Sequence, residues 1–186
     1  MVTVLTEPSA RNTRSYTGRG DGGSTGRLGT STRISKDSTL IEAVGTVDEA
    51  VSSIGMARAA STSQWTRESL YVVQQHLGRM LAHLSATPEA RSKYSGISAD
   101  DLTWLEARIA ELERDLPPLR EFVLPGATPA GTVLHIARTV VRRAERRVVA
   151  LAGAELGLAP LNLAYLNRLS SLLFVAAVTE DLVVKE

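Results

Sequence analysis

The chain has 186 residues and a formal net charge of +1, with 44% hydrophobic but only 4% aromatic residues. A chain of this length buries roughly 70% of its unfolded surface, and the core must come from Leu, Val, Ile and Ala, which suits packed helices better than a β-sandwich. The 21 basic and 20 acidic residues exclude a global field that draws nucleic acid, and the lack of cysteine excludes disulfides, thiolate metal sites and cysteine nucleophiles.

The start, MVTVLTEPSARNTR, lacks the basic and apolar regions of a secretory signal. No uncharged apolar run reaches the roughly 18 residues of a membrane span, so the expectation is a cytoplasmic protein with no membrane or nucleic-acid partner. Residues 1 to 38 read mostly as loop: six of the fourteen glycines lie between Gly18 and Gly29. Residues 39–186 read as a helical bundle, the whole forming one domain.

The first helix is expected from Leu40 to about Ala59, with Leu40, Val44, Val47, Val51 and Ile54 at helical spacing and Asp48 at the edge of that face. A second covers Gln64–Leu84 through Leu70, Val73, Leu77, Met80 and Leu84, and ends before Pro88. A third begins at Ser98, whose spacing to Asp101 suits a capping box, and stops at Pro117 and Pro118. After a loop carrying Phe122–Gly126, a fourth helix is expected over Thr132–Ala152. Gly153, Gly157 and Pro160 make a break before a fifth over Leu161–Val184. His76, His83 and His135 read as packing or surface histidines rather than metal ligands. Five helices with short connections favour an all-α bundle.

The fourth helix concentrates five of the chain's eighteen arginines between Arg138 and Arg147. They form two rows at a spacing of four, Arg138/Arg142/Arg146 and Thr139/Arg143/Arg147, with Glu145 three beyond Arg142. Both rows cannot enter an apolar core unpaired. They suit successive phosphates, a subunit neighbour or a solvated face, and composition does not choose among these. Asp48 and an arginine of this helix make a natural cross-helix pair.

The N-terminal stretch YTGRGDGGSTG holds a literal GxGxxG, but no strand precedes it and no helix opens at its end, so a dinucleotide fold is not supported. A Walker A loop is absent. What remains is a run of backbone N–H donors with nearby hydroxyls and Arg19, followed by Arg33 and Lys36. It suits either a phosphate-wrapping nest or a mobile tail.

Six blocks, YTGRGDGGSTG, RISKD, EAVGTVDE, FVLPG, ARTVVRRAERRVV and YLNRLSSLLF, occur in an order that resembles the PduO-type ATP:cob(I)alamin adenosyltransferases. The resemblance implies a five-helix bundle that transfers the 5′-deoxyadenosyl group of ATP to the Co(I) centre of a reduced corrinoid, giving adenosylcobalamin and triphosphate. It implies a homotrimer with sites between subunits, and a flavin-dependent reductase and an adenosylcobalamin-dependent mutase as partners. In that likeness Thr17, Gly18, Arg19, Gly20, Asp21, Gly22, Gly23, Ser24, Thr25 and Gly26, with Arg33 and Lys36, surround ATP. Arg142, Glu145 and Arg146 hold phosphates and Mg2+, with Glu145 as metal ligand. Asp48 pairs with Arg138 on the corrinoid side, Asn167 lies near both nucleotide and pair, and Phe122 lies beneath the corrin ring.

The chain departs from the family pattern at Gly18 and Arg19, where TRTGD becomes TGRGD, at Ala127 of PGA, and at Ser171 of RLSS. These departures leave an alternative: a noncatalytic ATP- or corrinoid-binding sensor, carrier or chaperone of the same fold.

Overall fold

The computed structural model describes residues 16–119, 121–154 and 160–182. It is an all-α bundle of five helices: α1 Thr39–Ala60, α2 Gln64–Ser85, α3 Ala99–Asp115, α4 Pro129–Ala154 and α5 Pro160–Leu182. The expected break at Gly157 and the end of the fifth helix at Val184 lie outside the described residues, as do residues 1–15 of the expected loop.

Helices α1 to α4 start where the sequence offers a side-chain acceptor. Ser38 Oγ accepts from Ile41 N, and Ser63 Oγ accepts from Thr66 N at 3.2 Å. Ser98 and Asp101 form the expected capping box, each side chain bonding the other's backbone N–H, at 3.1 and 2.9 Å. The fourth helix begins three residues earlier than its periodicity suggested. Pro129 fits a first turn, and the Thr128 hydroxyl accepts from Gly131 N at 2.9 Å, so the cap lies upstream of the first regular apolar residues.

The buried face of α1 is Leu40, Ala43, Val47, Ala50, Ile54 and Ala57; that of α4 includes Ala137, Val141, Ala144 and Val148. Alternation of alanine with larger residues lets α1 lie against α4, while α2 packs on α1 and α3 on α5. Helix α5 is central, burying Leu166, Leu169, Leu172, Leu173 and Ala177. By length and composition it would also suffice to cross a membrane, which the sequence reading did not expect, because Arg168 is the single charge before Glu180. Its most apolar window is 61% buried in the bundle, so the apolarity serves the core.

A polar chain crosses this core. His76 Nδ1 lies 2.9 Å from the Tyr165 hydroxyl, His76 Nε2 lies 3.2 Å from Asp101, and Asp101 binds Arg79. Burial pushes the Tyr165 hydroxyl and His76 toward their neutral forms. Burial would also raise Asp101, but hydrogen bonds from Arg79 and Ser98 and the His76 charge outweigh it and hold the carboxyl at about 2. The network ties α2 and α3 to α5, and His76 is a packing histidine as expected.

The stretch before α1 is more ordered than a plain loop. Ser24–Thr25 (β1) and Ile34–Ser35 (β2) form a short antiparallel ladder, with Ser24 opposite Ser35 and Thr25 opposite Ile34. Two-residue strands are too short to show in a periodicity reading. Leu28 anchors the hairpin to the end of α2, donating to Ser85 O at 3.1 Å and accepting from Thr87 N at 2.9 Å.

Candidate functional site

The two arginine rows of α4 have different fates. Arg143 pairs with Glu49, and Arg147 Nε lies 3.1 Å from Glu42, so this row stitches α4 to α1. The other row turns toward α5. Arg138 and Arg142 line a cavity of about 560 Å³ with Pro117, Leu119, Ser171, Phe174 and Val175. Two guanidinium groups against an apolar wall suit an anionic ligand that also carries a large apolar surface. Arg146 is exposed and donates to Arg142 O at 3.1 Å, which sets it beside its neighbour one turn earlier.

Glu145 accepts from Asn167 Nδ2 at 3.2 Å, joining α4 to α5 at the same edge. Asn167 also accepts from Arg168 at 3.0 Å, and Arg168 lies 3.3 Å from Glu106 of α3. Ser171 therefore does not leave Arg168 without a carboxylate, because another helix supplies one. Among the described residues no group of three His, Cys, Asp or Glu side chains is placed to hold a metal. Glu145, with one oxygen engaged by Asn167, fits a magnesium ion carried chiefly by phosphate oxygens and completed by one carboxylate.

Phe122 is 86% exposed, and Leu124 and Leu119 are exposed in the same α3–α4 connection. Three large apolar side chains exposed in one connection, of which Leu119 lines the arginine cavity, make an unusual surface for a small domain. Phe174, at the cavity wall, lies seven residues after Asn167 on α5. The family resemblance that named Asn167 gave Phe174 no role, and an apolar residue in an apolar helix gave no chemical signal, although the seven-residue spacing puts both on one face of α5.

A second cavity, of about 470 Å³, lies where α1, α2 and the hairpin before them meet. Thr25, Gly26, Lys36, Ile41, Val44, Gly45, Asp48, Leu81 and Ser85 line it. The glycine-rich loop above it folds through two successive turns, Asp21 N to Gly18 O and Gly23 N to Gly20 O, both 3.2 Å. Lys36 Nζ is seated over Gly20, 3.1 Å from where a Cβ there would lie. Thr17 Oγ1 accepts from Arg19 N at 3.4 Å, and Asp21, Gly22, Gly23 and Gly26 are exposed along the loop.

Arg33 is placed differently from the ligand contact expected of it. Its Nε donates to Ser24 Oγ at 2.9 Å, and its Nη2 donates to Arg19 O at 2.8 Å and to Ser24 O. A guanidinium so engaged shapes the loop. Gly18 has φ of 70°, a left-handed backbone that an arginine at this position would adopt only with strain. The departure from TRTGD thus coincides with a left-handed backbone at position 18.

The expected pair of Asp48 and Arg138 does not form within the chain. Asp48 lines the second cavity and Arg138 the first, and among the described residues no ion pair joins them. They line different cavities: Asp48 sits with residues of α1, α2 and the hairpin before them, and the half-buried Arg138 with residues of α4, α5 and the end of α3. His135 is buried, with neither ring nitrogen hydrogen-bonded among the described residues, and its ring meets Phe174 edge-on at 6.1 Å. Burial, then the charge of Arg138, keeps it neutral.

Residues 15–180 match a protein-family model described as cobalamin adenosyltransferase. The corrinoid adenosyltransferase of Bacillus subtilis is 41% identical over 166 residues, covering 87% of this chain and 83% of that protein. Corrinoid adenosyltransferase PduO of Salmonella typhimurium is 39% identical over 167 residues, covering 89% of this chain; the match spans only 49% of the Salmonella protein. Among solved structures, a variant PduO-type ATP:corrinoid adenosyltransferase from Lactobacillus reuteri, complexed with cobalamin and ATP, superimposes with a TM-score of 0.84 at 31% identity. That match covers 92% of this chain and 96% of the other.

Proposed function

Because this chain belongs to the cobalamin adenosyltransferase family, we propose that it transfers the 5′-deoxyadenosyl group of ATP to the Co(I) centre of a reduced corrinoid. The products are adenosylcobalamin and triphosphate. The observation that carries this reading is the first cavity, where Arg138 and Arg142 face an apolar wall of Leu119, Phe174 and Val175, Leu119 belonging to the same α3–α4 connection as the exposed Phe122. A corrinoid presents a broad face and needs an apolar surface, while a triphosphate leaving group needs fixed cations.

In the transfer, the Co(I) electron pair attacks C5′, the C5′–O bond breaks, and its electrons leave on triphosphate while cobalt rises from the +1 to the +3 state. No proton moves, so no general base is required. The protein's work is to align the reactants and stabilise charge on the leaving group. Arg142 and Arg146 bind phosphate oxygens, and Glu145, oriented by Asn167, holds Mg2+, which when bound neutralises triphosphate charge. Thr17–Gly26 and Lys36 enclose ATP, with Arg33 holding the loop in shape. Phe122 presents an aromatic face to cobalt, displacing an axial donor so that the Co(II) form accepts an electron more readily.

The two cavities lie on different edges of the bundle, and each carries half of this set. Asp48 and the glycine-rich loop are on one edge; Arg138, Arg142 and Asn167 are on the other. A head-to-tail contact between copies brings unlike edges together and closes into a ring, which supports a homotrimer with intersubunit sites and an Asp48–Arg138 pair across each interface. We assign the whole chain to one such domain, working in the cytoplasm with a flavin-dependent reductase supplying electrons and an adenosylcobalamin-dependent mutase taking product.

The deciding experiment incubates the purified protein with chemically reduced cobalamin and Mg-ATP, and follows cobalamin absorbance and product chromatography. Adenosylcobalamin above a protein-free control is the expected result. Binding of both substrates without product would refute transfer and leave a sensor, carrier or chaperone.

A further inference from the structure

Acidic residues are disfavoured in the last turn of a helix, where the backbone dipole presents negative charge. Helix α5 nevertheless ends with Glu180 and Asp181, 2% and 8% exposed. Each is offset by hydrogen bonds to a different inter-helix connection. Glu180 accepts from Thr62 Oγ1 at 2.7 Å, from Ser63 N at 3.2 Å and from Ser61, fixing the α1–α2 link. Burial would raise its carboxyl, but these bonds hold it below its ordinary value.

Asp181 reaches the other connection. Its Oδ1 accepts from Thr128 N at 2.9 Å and from Thr128 Oγ1 at 2.7 Å, while the same hydroxyl accepts from Gly131 N. The carboxylate lies so close to the first turn of α4 that a Cβ at position 131 would fall 2.1 Å from Oδ1. Only glycine leaves room for it. Thr128 ends the connection that presents Phe122, and Gly126, at φ of 122°, lies between them. Phe122 is 86% exposed and has little packing to hold it in place, so this anchor restrains where the segment leaves the bundle.

We propose that Asp181 and Thr128 are positioning residues that clamp the Phe122-bearing segment at its root, and so set the distance from the aromatic ring to the corrinoid face. This rests on the corrinoid reading above. It adds two residues outside the six sequence blocks, neither of which touches substrate. Loss of the clamp leaves the phosphate-binding arginines in place and lets the Phe122 segment wander. Use of cob(II)alamin with a one-electron reductant, which depends on the ring displacing an axial donor, then suffers more than use of pre-reduced cob(I)alamin.

The test compares wild type with Thr128→Val, Thr128→Ser, Asp181→Ala and Glu180→Gln in the full chain. Hydrogen-exchange mass spectrometry without substrates reads the peptide spanning residues 121–131. Thr128→Val and Asp181→Ala are expected to raise its exchange about tenfold, as loss of a charge-assisted hydrogen bond implies, with Thr128→Ser close to wild type. In turnover, the ratio of cob(II)alamin to cob(I)alamin rates should fall in the same two variants with the ATP KM unchanged. Glu180→Gln, which loosens a clamp elsewhere, should lower Tm without altering that ratio. Unchanged exchange in Thr128→Val, or equal rate losses with both cobalamins, would overturn the proposal. If wild type makes no adenosylcobalamin, the functional reading fails and the exchange comparison still decides the clamp.

Discussion

Arg143 pairs with Glu49 across the α1–α4 seam, while Arg142, its neighbour in sequence, faces the cavity beside Phe174. One residue of helical rotation, about 100°, separates an arginine used for packing from one offered to a ligand. Arg142→Lys keeps the charge but removes the bidentate fork, and should raise the ATP KM about tenfold. Arg143→Ala should leave that KM unchanged and cost no more than about 1 kcal/mol of stability, since its pair with Glu49 is solvent-exposed. Steady-state kinetics and urea melts on both variants check this; a matching rise in KM for Arg143→Ala would contradict the assignment.

Phe122→Ala removes the exposed ring and little packing, so Tm should move by no more than about 1 °C, as for a surface substitution. Turnover with cob(II)alamin and a reductant should drop by about tenfold or more, with a smaller loss on cob(I)alamin, because only the first requires the axial donor to be displaced. Parallel assays with the two oxidation states make the comparison. Equal losses would show that Phe122 only adds binding surface.

Asp48 and Arg138 line different cavities of one chain. If they meet across an interface, Asp48→Asn and Arg138→Ala subunits should each be inactive alone yet regain activity when co-refolded. Random mixing makes about a quarter of the interfaces wild type on both sides. Light scattering should give the mass of three chains, and failure to complement would place both residues in one subunit's own site.

Stability should fall as the solution is acidified from neutral. His76 and His135 are both held below 6.5 by burial, so the unfolded chain takes up protons first as pH drops through that value, favouring unfolding. Asp101, at about 2 when folded against 3.8 as its ordinary value, stabilises above about pH 4 and loses this contribution as pH falls toward 2. Thermal melts between pH 8 and 3 should show both losses. His76→Gln should flatten the upper one, and an unchanged slope there would remove His76 as its source.

Leu77 is fully buried in the core. Leu77→Ala should cost about 2–5 kcal/mol through lost transfer energy and the cavity left behind. Denaturant melts measure it, and a loss below about 1 kcal/mol would mean that the bundle collapses around the site.

The helices were legible because burial repeats with the helical period: Val47, Ile54 and Leu77 are core residues in the phase the sequence suggested. The Ser98–Asp101 cap was equally legible, since both partners lie within one turn. The glycine-rich loop and the arginine rows stood out by residue type, whereas Phe122 entered through the family resemblance. Tertiary structure decided which row of α4 meets Glu42 and Glu49, that Arg33 binds its own loop, and that Glu106 partners Arg168 across 62 residues. It also decided that Asp181 closes on Thr128, 53 residues away, where only Gly131 leaves space. Local periodicity fixes which way a side chain turns about its own helix axis, but not which other helix stands there to receive it; that depends on how the five helices pack.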